Sequence, residues 1–175
     1  MSRLFHKPIM FNVCTQILSG VLASAYFCVV QHVLQDHWPD ALQYLCTWTW
    51  IGLGLYLFAF AVHPDSLHHP FFRVLGQGVY GGAGTMLAMV LRFWPDRFSN
   101  PTHLFAHYTP ALLMNQMLRA QAPTSLIGIV WWPMFYYMCI RTRARDLYGI
   151  DFGTGLDELS MVLLVFTLPF TLPRR

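Results

Sequence analysis

Residues 10–33 read MFNVCTQILSGVLASAYFCVVQHV, and residues 41–62 read ALQYLCTWTWIGLGLYLFAFAV. Neither stretch carries a Lys, Arg, Asp or Glu. A helix of about 20 mostly apolar residues crosses a bilayer core about 30 Å thick, and both stretches are long enough. Membrane-barrel strands alternate polar and apolar positions, whereas these runs are unbroken. The pair therefore predicts two spanning helices joined by the turn Gln35-Asp36-His37-Trp38-Pro39-Asp40.

Three further apolar segments follow, at about 71–93, 124–141 and 155–172. Arg73 and Arg92 bracket the third, Trp131-Trp132-Pro133 lies in the fourth, and Asp157 and Glu158 open the fifth. The expectation is an all-α integral membrane protein, a single domain over 1–175, with about five transmembrane helices at 10–33, 41–62, 71–93, 124–141 and 155–172. One long connection, 94–123, separates the third from the fourth. Within it, Leu104 to Arg119 is half apolar and reads as an interfacial or re-entrant helix, with Pro110 arguing against a full span.

Composition agrees. Of the 175 residues, 55% are hydrophobic and only 11% charged, and mean hydropathy is +0.43. Soluble domains carry roughly 25% charged residues, so this chain lacks the charge for a fully wetted surface. The apolar content excludes disorder. The net charge of +3 comes from scattered basic residues, which do not form the dense patch that nucleic acid needs. Cys14, Cys28, Cys46 and Cys139 lie inside apolar runs without paired spacing, so no disulfide framework is expected. With five spans, Arg3, Lys7, Arg73, Arg141, Arg143 and Arg145 collect on one side. Arg92, Arg97, Arg119, Arg174 and Arg175 collect on the other, and the near-equal split sets no orientation.

Three constellations could carry chemistry. His32 with His37, His63 with His68 and His69, and His103 with His107 form three clusters. Only His103 and His107, four apart, share a helix face. A di-iron oxygenase of the His-cluster type, or a haem- or quinone-holding anchor like the small subunits of succinate dehydrogenase, would use such residues. The competing reading is interfacial rings at helix ends. Second, Gly76, Gly78, Gly81, Gly82 and Gly84 crowd one segment. Small residues let membrane helices pack closely, and a π-bulge is the functional alternative. Third, Asp157 and Glu158 are either buried ionisable groups with a function or a solvated helix start favoured by the helix dipole.

Taken in order, several motifs resemble subunit 6 of NADH:ubiquinone oxidoreductase (respiratory complex I), the J subunit of bacteria. They are Pro39-Asp40-Ala41-Leu42, then Val79-Tyr80-Gly81-Gly82-Ala83 followed by Met86, Leu87 and Met89, then Leu147-Tyr148-Gly149 and Glu158-Leu159-Ser160. The resemblance implies a core membrane-arm subunit of a proton-pumping enzyme, with no bond-making chemistry and no cofactor or metal of its own. FMN, iron–sulfur clusters and ubiquinone would belong to the parent complex. The partners implied are the other membrane-arm subunits and the lipid bilayer. Tyr80, Gly81, Gly82 and Ala83 would form a helix switch that alternates between α and π-bulged forms and gates a water path. Glu158, with Asp157 beside it, would be the candidate proton-path carboxyl. The implied location is the mitochondrial inner membrane, or a bacterial plasma membrane, and one Lys against ten Arg points to GC-rich coding.

Overall fold

The computed structural model describes residues 13–119, 125–140 and 144–149. Seven α-helices occur among them: α1 Val13–His37, α2 Leu45–Val62, α3 Pro70–Phe93, α4 Pro101–His103, α5 Thr109–Arg119, α6 Leu126–Ile140 and α7 Ala144–Tyr148. Short 3₁₀ turns, Asp40–Gln43, Pro64–His68 and Pro95–Ser99, join the longer elements. No strand occurs among the described residues. Asp157, Glu158 and the expected fifth helix lie outside them.

Three helices, α1, α2 and α3, are long and apolar enough to cross a membrane. α6 is apolar but shorter. Burial ranks the three: 22% of the apolar window of α1 is buried, against 56% for α2 and 72% for α3. α1 is thus peripheral and α3 central. Val13, Ile17, Leu18 and Val21 of α1 point outward, as do Ile127, Phe135 and Met138 of α6. In water such a surface would aggregate, whereas in lipid it is the ordinary outer face.

The boundaries differ from the sequence reading for local reasons. α1 runs on to His37, because the polar turn residues extend the helix before Pro39 stops it. α2 starts at Leu45 instead of residue 41, because Asp40–Gln43 forms a 3₁₀ turn in which Gln43 Nε2 donates to Asp40 Oδ1. α3 and α4 each begin with Pro at the first helical position, where a missing N–H costs nothing. His69 Nδ1 caps Phe71 N–H, and Asn100 Oδ1 caps Thr102 N–H.

The 94–123 connection is helical over the expected Leu104–Arg119, and the helix begins earlier, at Pro101. α4 continues into a π turn, Leu104–Tyr108, and then into α5. Pro110 does not end the helix. A helical Pro has no N–H for the carbonyl four residues back, and its ring crowds that carbonyl. The carbonyl in question is that of Ala106, and widening of the helix just before Pro110 relieves the clash. This segment packs on the α1–α2–α3 core through Ala106, Met114 and Leu118.

Candidate functional site

Tyr80, Gly81, Gly82 and Ala83 lie in unbroken α-helix. The π turn among the described residues falls at Leu104–Tyr108 instead. The four residues face different neighbours. Gly81 abuts the backbone of α6, where a Cβ would overlap the Ile129 carbonyl oxygen. A Cβ on Gly82 would sit 2.7 Å from Thr49 Oγ1 and 3.5 Å from Trp132 Nε1. Tyr80 lines an apolar groove of about 300 Å³ between α3 and α5, shared with Gly84, Leu91, Tyr108, Leu112 and Asn115. Ala83 is fully enclosed. The glycines therefore bring α2, α3 and α6 into backbone-close contact, the geometry small residues permit in membranes.

The histidine clusters separate as the spacing suggests. His103 and His107 stack, with ring centroids 5.5 Å apart and planes 12° apart. His32 pairs with Asp36 on the exposed end of α1, Nδ1 to Oδ2 3.4 Å. No group of three or more metal-ligating side chains gathers among the described residues.

A site that sequence reasoning missed lies where α2 meets the π turn. Trp50 Nε1–H donates to the Ala106 carbonyl at 2.7 Å. That carbonyl is the one Pro110 cannot serve. The indole thus replaces the missing backbone donor and ties α2 to the residue before His107. Tyr26 stacks on Phe105 beside it, centroids 5.2 Å apart. Trp50→Phe should cost about 1–3 kcal/mol, the usual penalty for stripping a buried acceptor. Pro110→Ala supplies an N–H at the right place and should return part of that loss. Thermal unfolding of both single variants and the double variant measures the coupling.

Thr47 Oγ1 and His107 Nδ1 are among the buried polar atoms that make no hydrogen bond of ordinary geometry, the Thr47 hydroxyl lying beside the Cys46 thiol. The His107 ring lies 5.8 Å from the Trp50 ring. Thr47 precedes Trp50 by three residues on α2 and so shares its face. The other buried threonines satisfy themselves by bonding the carbonyl four residues back: Thr49 to Leu45 O and Thr85 to Gly81 O, each at 2.8 Å. Thr47 makes no such bond: the corresponding carbonyl belongs to Gln43, in the 3₁₀ turn outside α2, and accepts from Tyr136 Oη. Thr47 is fully buried, and burying a hydroxyl without a strong partner carries a cost.

The helical segment that bears His107 is not one of the three long apolar helices. Burial there, with smaller contributions from the charges of His103 and Arg97, lowers the pKa of His107 to about 4. At neutral pH the imidazole is therefore uncharged, with a lone pair available to take a proton. α2 thus carries a buried hydroxyl on the face that bears Trp50, and the π turn carries a neutral base beside the Trp50 ring. Compared with known proteins, the chain matches no family model, no curated protein and no solved structure.

Proposed function

We propose that this chain is a multi-pass membrane hydrolase of apolar acyl esters, with Thr47 as nucleophile and His107 as general base. Two observations support the reading: Thr47 Oγ1 is a buried hydroxyl one turn before Trp50 on α2, and the His107 ring, whose Nδ1 makes no hydrogen bond, lies 5.8 Å from the Trp50 ring. Buried polar groups left unsatisfied are rare, and a catalytic role is one of the few reasons for keeping them. A hydroxyl beside a neutral imidazole is the arrangement that activates a weak nucleophile. In this scheme His107 takes the Thr47 hydroxyl proton as Oγ1 attacks the ester carbonyl. The proton passes to the departing alcohol, and water then cleaves the acyl-threonine to release the acid. The surroundings, Tyr26, Trp50 and Phe105 among them, suit a substrate with an uncharged hydrocarbon chain.

The test is hydrolysis of p-nitrophenyl esters of graded chain length by the purified protein in mild detergent. Activity should depend on neutral His107. With its pKa at about 4, the rate should stay flat from pH 8 down to about 6 and halve only near pH 4. A limb at the ordinary histidine value of about 6.5 would detach the activity from His107, and absence of turnover would sink the reading.

A second reading, the membrane subunit of a proton-pumping NADH:ubiquinone oxidoreductase, is favoured by the glycine face of α3. Gly81 and Gly82 let α3 lie against both α6 and α2, as a helix that must change register requires. In that reading Tyr80 to Ala83 are the switch, and the mitochondrial inner membrane is the location. Migration on a native gel with an assembly that oxidises NADH favours this reading, and migration alone favours the hydrolase.

A further inference from the structure

A cleft of about 500 Å³ opens where α2 ends and α3 begins. It is lined by His63, Asp65, Ser66, His69, Phe71 and Phe72. Neither reading of the function uses it. The ends of two spanning helices lie at the level of lipid headgroups, so the cleft faces headgroups if the chain spans a membrane.

The cleft combines a carboxylate, two imidazoles and a hydroxyl with aromatic walls. Phe71 and Phe72 meet edge to face, centroids 5.2 Å apart and planes at 81°. Phe71 is 60% exposed although its ring is fully apolar. Asp65 is exposed and makes no ion pair among the described residues. His69 is fixed in orientation and tautomer: its Nδ1 accepts from Phe71 N–H at 3.2 Å, so Nε2 carries the proton of the neutral ring. Ser66 is committed elsewhere, donating to Ala59 O at 3.2 Å. The first turn of α3 adds the positive end of a long helix. The cleft therefore offers one carboxylate and two aromatic faces for a cation, and an imidazole N–H beside a helix start for an anion.

We propose that this cleft binds the phosphocholine headgroup of a membrane lipid. A quaternary ammonium cannot donate hydrogen bonds, so aromatic faces and a nearby carboxylate suit it better than they suit a primary amine. The phosphate sits on the imidazole side, accepting from His69 Nε2–H. Asp65 disfavours lipids with a net negative charge. The inference rests on the membrane reading and is independent of the hydrolase.

Flotation of the expressed protein with phosphatidylcholine vesicles comes first, because a chain that does not float removes the membrane reading itself. The floating protein is then extracted in mild detergent from vesicles holding phosphatidylcholine, phosphatidylethanolamine and phosphatidylglycerol in equal parts, and its retained lipid is weighed by native mass spectrometry. Phosphatidylcholine should be enriched about threefold to fivefold over each of the others, the size of one exposed cation–π contact. Asp65→Asn and the double variant Phe71→Ala/Phe72→Ala should each abolish that enrichment while leaving ester hydrolysis unchanged. Asp65 and Phe71 are exposed, whereas Phe72 is half-buried against the core, so thermal unfolding of the double variant is read alongside and Asp65→Asn carries the test if the double variant fails to fold. Equal retention of the three lipids, or enrichment that survives both variants, overturns the assignment. Binding of free phosphocholine as tightly as the lipid would overturn the lipid as the source.

Discussion

Replacing Thr47 with valine should lower ester hydrolysis by at least about 10³-fold, the scale seen when a covalent nucleophile is removed, and should leave the protein as stable as before or more so. The two halves of that result belong together. Valine has almost the same volume as threonine, so the packing at a fully buried position is kept. The hydroxyl it removes faces at most the neighbouring Cys46 thiol, a weak partner, so little hydrogen bonding is lost and a desolvation cost is relieved. A residue retained for structure alone would behave in the opposite way, losing stability and keeping activity. Thr47→Ser keeps a hydroxyl in place and should keep a substantial fraction of the rate. Initial rates on a p-nitrophenyl ester and thermal unfolding in the same detergent read both halves. Full activity in Thr47→Val would end the hydrolase reading.

The other large effect is structural. Gly81→Ala should destabilise the fold by about 3 kcal/mol, at the top of the range for overpacking. The added Cβ would meet the Ile129 carbonyl oxygen, which is backbone. Side chains can rotate away from a clash, but a helix backbone must move as a body, and α6 is held along its length by α3. Gly20→Ala is the matched control. Its Cβ would find Ala61 Cβ at an ordinary 3.6 Å, and the change should be neutral or slightly stabilising through helix propensity. The difference in melting temperature between the two variants is the measurement. A tolerated Gly81→Ala would mean that α3 and α6 do not touch in the membrane, which would also undercut a register switch built on that contact.

The charge-free runs at 10–33 and 41–62 announce their helices because nothing but a membrane or a deep core accepts them. The shared face of His103 and His107 is equally legible, since spacing of four is a local property. A helix over 104–119 is legible as well, but the way it passes Pro110 is not. The donor to the Ala106 carbonyl is the indole of Trp50, 56 residues before Ala106 in the chain, and no periodicity links the two. Thr47 is hidden for the same reason. In sequence it is a small polar residue between Cys46 and Trp48, and only the tertiary structure shows that it is buried without the bond to the carbonyl four residues back that Thr49 and Thr85 make. The glycine run packs α3 against α2 and α6, and the π turn among the described residues lies in another helix, at Leu104–Tyr108. Asp157 and Glu158 lie outside the described residues.

The bond from Trp50 to the Ala106 carbonyl also sets a timetable. A carbonyl stripped of its helical donor is tolerable in water and costs several kcal/mol in hydrocarbon. Until α2 is in place, the segment holding Pro110 has reason to stay at the wet boundary, where solvent serves Ala106. Once the indole is available, the same segment can sink against the core. Biogenesis thus acquires an order, with the first hairpin inserted before the proline-bearing helix docks, and the base on that helix reaches its hydroxyl only in a molecule already assembled around it.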